Sequence, residues 1–137
     1  MNKIGVCGDN CSCCPRYIAT LSGNSEELEK VKELWVRLGW RDEWFPAERL
    51  VCHGCNFEIK CAYPKLRNCA YEKKIPNCGI CDNYPCELVN AAWERTNRLT
   101  SNARSVCNLE EMEILNKAFL HKKQTLDKIN YQSKKPL

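Results

Sequence analysis

Apolar residues recur at helical spacing in three stretches of the chain. Leu28, Val31, Leu34, Trp35 and Leu38 form the first stripe, with Glu26, Glu27, Glu29, Lys30, Lys32 and Glu33 on the other faces. Asn24 stands as its N-cap, Glu27 is placed to close a capping box, and Gly39 ends it. The second stripe is Leu88, Val89, Ala92, Trp93 and Leu99, entered through Pro85 as a first helical residue. The third is Leu109, Met112, Leu115, Phe119 and Leu126, opened by a second capping pattern at Asn108 and Glu111. Shorter helices are predicted over 16–21, opened by Pro15 and broken by Gly23, and over 66–74. Pro46 starts a short turn ending near Leu50, and residues 100–107 read as a polar connection. No stretch shows sustained strand alternation. The pattern predicts a mostly α fold, a small helical domain with little or no β-sheet. It comprises a domain over 1–100, a helical extension over 101–130 packed on it, and a disordered tail over 131–137.

The stripes leave the loops between them without much to bury, and there the cysteines lie. Twelve of 137 residues are cysteine, far above ordinary usage. A disulfide scaffold belongs to exported proteins. The segment MNKIGVCGDN has no apolar run long enough for a signal peptide, and no segment is apolar enough to span a membrane. The expectation is a cytoplasmic protein whose reduced thiols bind metal, with no membrane partner.

Cys52–Cys55 and Cys78–Cys81 are Cys-x-x-Cys pairs separated by 22 residues, each with a glycine in its bend, Gly54 and Gly79. Such a turn aims two thiolates at one point, and two turns complete a tetrahedral zinc site. These four form the preferred first site, so the fold is read as zinc-stabilised with metal knuckles. A rival grouping joins Cys52, Cys55, Cys61 and Cys69, leaving Cys78, Cys81 and Cys86 to another metal. Cys7, Cys11 and Cys14 suggest a second site, with Cys86, then Cys69, as the fourth ligand. Cys13 and Cys107 read as free thiols, and His53 and His121 as surface residues. The candidate metal ligands are therefore Cys7, Cys11, Cys14, Cys52, Cys55, Cys69, Cys78, Cys81 and Cys86. They would hold one or two zinc ions or, alternatively, an iron–sulfur cluster.

The order C-G-x2-C-x2-C-P-x-Y-x-A-T (Cys7 to Thr20), C-x-G-C (Cys52 to Cys55), R-x-C-A-x-E-K (Arg67 to Lys73) and C-x2-C-x2-Y-P-C-x-L (Cys78 to Leu88) resembles the domain of unknown function 3795 family of small bacterial and archaeal proteins. The resemblance spans roughly residues 5–95. It implies a cytoplasmic, cysteine-rich, zinc-binding domain with no assigned reaction and no catalytic residues. Pro64 stands where a cysteine would be expected three residues after Cys61, and Lys74 where a glycine would be usual.

The formal charge of +4 is mild and carries no argument for nucleic acid by itself. From Arg95 onward, nine Lys or Arg stand against four acids, which reads first as a solvated helix face with a frayed terminus and second as a surface favouring an anionic partner. The C-x3-C-x2-C spacing of Cys7, Cys11 and Cys14 also matches the three-thiolate motif of radical-SAM enzymes. Those need a large barrel that a chain of this length and helical pattern does not build. There is no Gly-rich phosphate loop and no Ser-His-Asp order, which points away from an enzyme. The reading is a zinc-binding structural or adaptor module with an unknown protein partner. The alternatives are an iron–sulfur or thiol-redox protein and a nucleic-acid-binding module.

Overall fold

The computed structural model describes residues 3–55 and 61–135, and these form helices and turns with no sheet. A single isolated bridge joins Ile4 and Asn10.

Helix α1 (Pro15–Ser22) starts on Cys14 as N-cap and stops at Gly23 in the left-handed region. Helix α2 (Ser25–Arg37) follows at once. Its Asn24 cap accepts from the Glu26 N–H, while the Glu27 side chain turns outward to Lys30 at 3.2 Å. The capping box expected there does not form: the Asn24 side chain closes on the Glu26 N–H, and the Asn24 N–H that Glu27 would take donates to Ser22 Oγ at 3.1 Å. A 3₁₀ turn over Ala47–Leu50 brings the chain to Cys52. Helix α3 spans Pro64–Lys73 and ends on Lys74 with φ 57°. A further 3₁₀ turn covers Cys78–Ile80, and helix α4 spans Glu87–Leu99. Pro85 is not its first residue: the Tyr84–Pro85 peptide is cis and Cys86 is the N-cap.

The predicted connection over 100–107 contains a short helix, α5 (Ala103–Val106), whose Ala103 is buried. The last apolar stripe is broken into helix α6 (Leu109–Leu115), a π-helical turn (Asn116–Leu120) and helix α7 (Lys122–Ser133). The capping box at Asn108 and Glu111 is present. Leu109, expected on the buried face, is 90% exposed, since it is the first residue of its helix and projects beyond the contact. Helix α7 enters the segment expected as a tail and stops at Ser133; residues 136–137 of that tail lie outside the described residues.

Two apolar cores result. One packs α1, α2, α5 and α6 around Trp35, Leu38, Leu50 and Leu115. Trp40 joins it edge-on and Phe119 at a tilt, their rings 4.8 and 6.1 Å from Trp35. Trp40 and Phe45 roof this core, whereas Trp44 stands 76% exposed. The other core packs Val6, Leu66, Ala70, Tyr84, Val89 and Leu126. Burying these side chains supplies about 25 cal/mol per Å² of apolar surface removed from water.

Residues 3–10 thread past both cores and are fixed from the far end of the chain. The Asn10 N–H donates to Ala118 O at 2.9 Å. Gly8 has φ +97°, and a Cβ there would stand 2.7 Å from Lys122 O and 2.8 Å from Leu126 Cγ, so α7 lies directly on this glycine. Gly79 serves the same helix. A Cβ on it would stand 2.8 Å from Ile129 Cγ2, and its carbonyl accepts from Asn130 Nδ2 at 2.9 Å. Its role here is the close approach of a helix.

Candidate metal centre

The two Cys-x-x-Cys turns face different cavities, so the four cysteines preferred from sequence as one site line two separate walls. Cys78 and Cys81 meet Cys69 of α3 and Cys86 at the start of α4 around a cavity of about 20 Å³. Packing of α3 against α4 makes this grouping: it brings Cys69 to the turn that Asn77 caps through the Gly79 N–H at 2.9 Å. Burial, then the neighbouring Cys86, Cys69 and Cys81, pushes the Cys78 thiol up to about 12. Lys73 donates to Cys81 Sγ at 3.3 Å. That ammonium is raised chiefly by its hydrogen bond to Cys81.

Cys52 and Cys55 instead meet Cys11 and Cys14, with Cys61 and Cys7 also reaching the wall of a wider cavity of about 420 Å³. Each sulfur is delivered by a different local device. Asn10 caps the 3₁₀ turn Cys11–Cys13 by accepting from Ser12 N–H at 3.1 Å. Cys14 is the N-cap of α1. Burial pushes its thiol up to about 11, against the opposing pull of the Tyr17 and Arg16 N–H groups. Cys52 is pinned where its N–H donates to Thr20 Oγ1 at 2.9 Å. Cys55 Sγ accepts from the Val6 N–H at 3.5 Å, and Cys61 Sγ from the Tyr63 N–H at 3.3 Å. Gly5 separates two of these sulfurs: a Cβ on it would stand 3.4 Å from both Cys11 Sγ and Cys55 Sγ. Burial, then Cys55, pushes the Cys11 thiol up to about 12.

Beside this cavity lies a buried charge that the sequence reading missed. Lys122, 3% exposed, places its Nζ 2.8 Å from Asp9 Oδ1 and donates to Thr96 Oγ1 at 2.7 Å and Tyr63 OH at 3.1 Å. Thr96 spends its own proton on Ala92 O at 2.8 Å, so Tyr63 OH donates to Thr96 Oγ1 while accepting from Lys122. Burial would push the ammonium down, but the Asp9 carboxylate outweighs it and holds Lys122 above its ordinary value. Arg16 was missed as well. It is buried with its Nε donating to Leu50 O at 2.6 Å and its Nη2 to Arg49 O at 3.2 Å, beside Cys14 and Cys52. No local pattern marks these residues, since their partners lie tens of positions away in sequence.

Cys7 is buried, with burial and then Asp9 raising its thiol. Cys107 lies apart, beside Glu111 and Arg37. His53 and His121 are exposed. Among the described residues, no three Cys, His, Asp or Glu side chains stand close enough together to hold a metal ion as placed.

The family described as "Protein of unknown function (DUF3795)" matches residues 3–91. The chain belongs to this family. Both thiol clusters are built from cysteines inside the DUF3795 region, whereas α5, α6 and α7 fall outside it. No curated protein and no solved structure matches the chain. Among the described residues, no helix of this DUF3795 protein is long and apolar enough to cross a membrane.

Proposed function

We propose that this protein is a zinc-binding structural module, a binding or adaptor domain whose loops are held by thiolate-bound metal. The observation that carries the reading is the meeting of Cys69, Cys78, Cys81 and Cys86 around a cavity of about 20 Å³. Four sulfurs and no carboxylate are the donor set of a closed zinc site, which needs Zn–S bonds of about 2.3 Å. The cavity has the size of one small ion, so the four side chains have to draw inward by rotamer adjustment rather than by rearrangement of the fold. Bound zinc supplies a cross-link and a charge that replaces the thiol protons. Lys73 and the positive end of α4 at Cys86 favour the thiolate state there. Cys11, Cys14, Cys52 and Cys55 are the second donor set. The N–H donors on Cys14 and Cys55 favour thiolate in the same way.

The test is zinc, iron and acid-labile sulfide per chain after purification without oxygen. The expected result is zinc near two with no sulfide. Cys78→Ser and Cys52→Ser should each lose about one zinc, additively in the double variant, because the two turns serve separate sites. Iron with matching sulfide would replace the structural reading with an iron–sulfur one. Loss of the same single zinc in both variants would restore the joint site.

A further inference from the structure

The wide cavity is larger than a thiolate-bound metal ion requires. At about 420 Å³ it falls within the ~300–1,000 Å³ range of small-molecule pockets. Part of its wall is aromatic: Trp40 and Phe119 pack edge-on, centroids 5.9 Å apart, and both reach the cavity. The Trp40 indole N–H is spent on Leu99 O at 2.7 Å, which leaves the ring as apolar surface. Another part is cationic. Arg41 and Arg95 line it, and no carboxylate among the described residues pairs with either. Arg41 donates from Nη1 to Trp40 O at 2.8 Å and lies 5.3 Å from the Phe45 ring, while its buried Nε has no acceptor among the described residues. Burial and then the charge of Arg16 disfavour the Arg41 cation, so two guanidinium groups share one poorly hydrated space. Asp9 is the carboxylate among the described lining residues, and Lys122 already holds it at 2.8 Å. A guanidinium with no carboxylate partner among the described residues, set beside an apolar face, suits a planar anion joined to a flat group, since the fork of Arg matches carboxylate and phosphate oxygens.

We propose that this cavity binds a small organic anion, with a carboxylate or phosphate drawn to Arg41 and a flat apolar part laid against Trp40. The proposal goes beyond the zinc reading and does not rest on it. Calorimetric titration of the purified, metal-retaining full chain tests it, with phenyl phosphate, benzoate, inorganic phosphate and benzyl alcohol as separate probes. Phenyl phosphate or benzoate should saturate a single site, and the stronger of the two names the anionic group. Inorganic phosphate should bind at least about tenfold more weakly for want of the ring, and benzyl alcohol should give no saturable heat. Arg41→Gln should weaken the ring-bearing anion by about tenfold or more, while Lys128→Gln, on the exposed face of α7, should not change it. Arg95→Gln, at an exposed position, gives the same reading if Arg41→Gln does not fold. No saturable binding of either ring-bearing anion overturns the proposal, as does equal weakening by Lys128→Gln. It also fails if Arg41→Gln loses zinc while ligand affinity is unchanged, because Arg41 would then serve only to offset thiolate charge. Metal per chain, measured on the same samples, separates failure of this pocket from failure of the zinc reading.

Discussion

Lys122 shows how far a single residue's role can depart from its place in the sequence. It stands in a basic stretch that reads as a solvated face, yet it is the most deeply buried charge described, and Asp9 neutralises it. Lys117 and Lys123 of the same stretch pair with Glu113 and Asp127 at 3.0 and 2.9 Å, so much of the apparent basic excess is spent locally. Removing one partner of a buried pair strands the other, at a cost of about 3 kcal/mol or more. Lys122→Ala is therefore expected to lower urea-unfolding stability by roughly that amount, whereas Lys122→Met combined with Asp9→Asn should recover at least half of it. Equal losses in the single and double variants would mean that the charges do not need each other. The same dependence on distant partners hid the cysteine grouping. Cys55 takes its N–H donor from Val6, 49 positions earlier, and spacing alone carries no trace of that contact.

At the scale of elements, the sequence was most legible where the determinant is local. Helices α1 and α2 follow their Pro, Asn and Gly punctuation closely, and α3 and α4 form where the pattern places them, although Pro85 does not open α4. The interruption of the last stripe was not legible, because the π-helical turn is set by packing: it buries Ala118 and puts its carbonyl within reach of Asn10. Helices α2 and α6 are joined by a bidentate contact, with Arg37 donating to both Glu111 oxygens at 3.0 and 2.6 Å and also to Val106 O at 2.8 Å. The Arg37 hydrogen bond holds the Glu111 carboxyl below the usual range. A depressed carboxylate contributes stability above its unfolded value of about 4.3, and that contribution is lost as pH falls through the folded value. Glu111→Gln should thus cost about 1 kcal/mol near neutral pH, discounted for the partial exposure of both side chains. Its melting temperature should converge on that of the parent below about pH 4. A gap that persists in acid would assign the cost to packing instead.

For the whole molecule, the governing fact is that the cysteine-rich region is closed by helices outside the family's shared extent. Leu126 is fully buried in the core that surrounds Cys78, and Ile129 covers Gly79. A chain ending at His121 should lose its cooperative thermal transition even with zinc supplied, since the metal cannot replace Leu126 or neutralise Asp9. A sharp transition in that shortened chain would show that the cysteine-rich region stands alone. The joining of Asn10 to Ala118 and of Asp9 to Lys122 carries a further consequence for biosynthesis. This loop is synthesised more than a hundred positions before the residues that supply its hydrogen-bond acceptor and its counter-ion. Cys7, Cys11 and Cys14 therefore cannot take their folded places until Lys122 has been made.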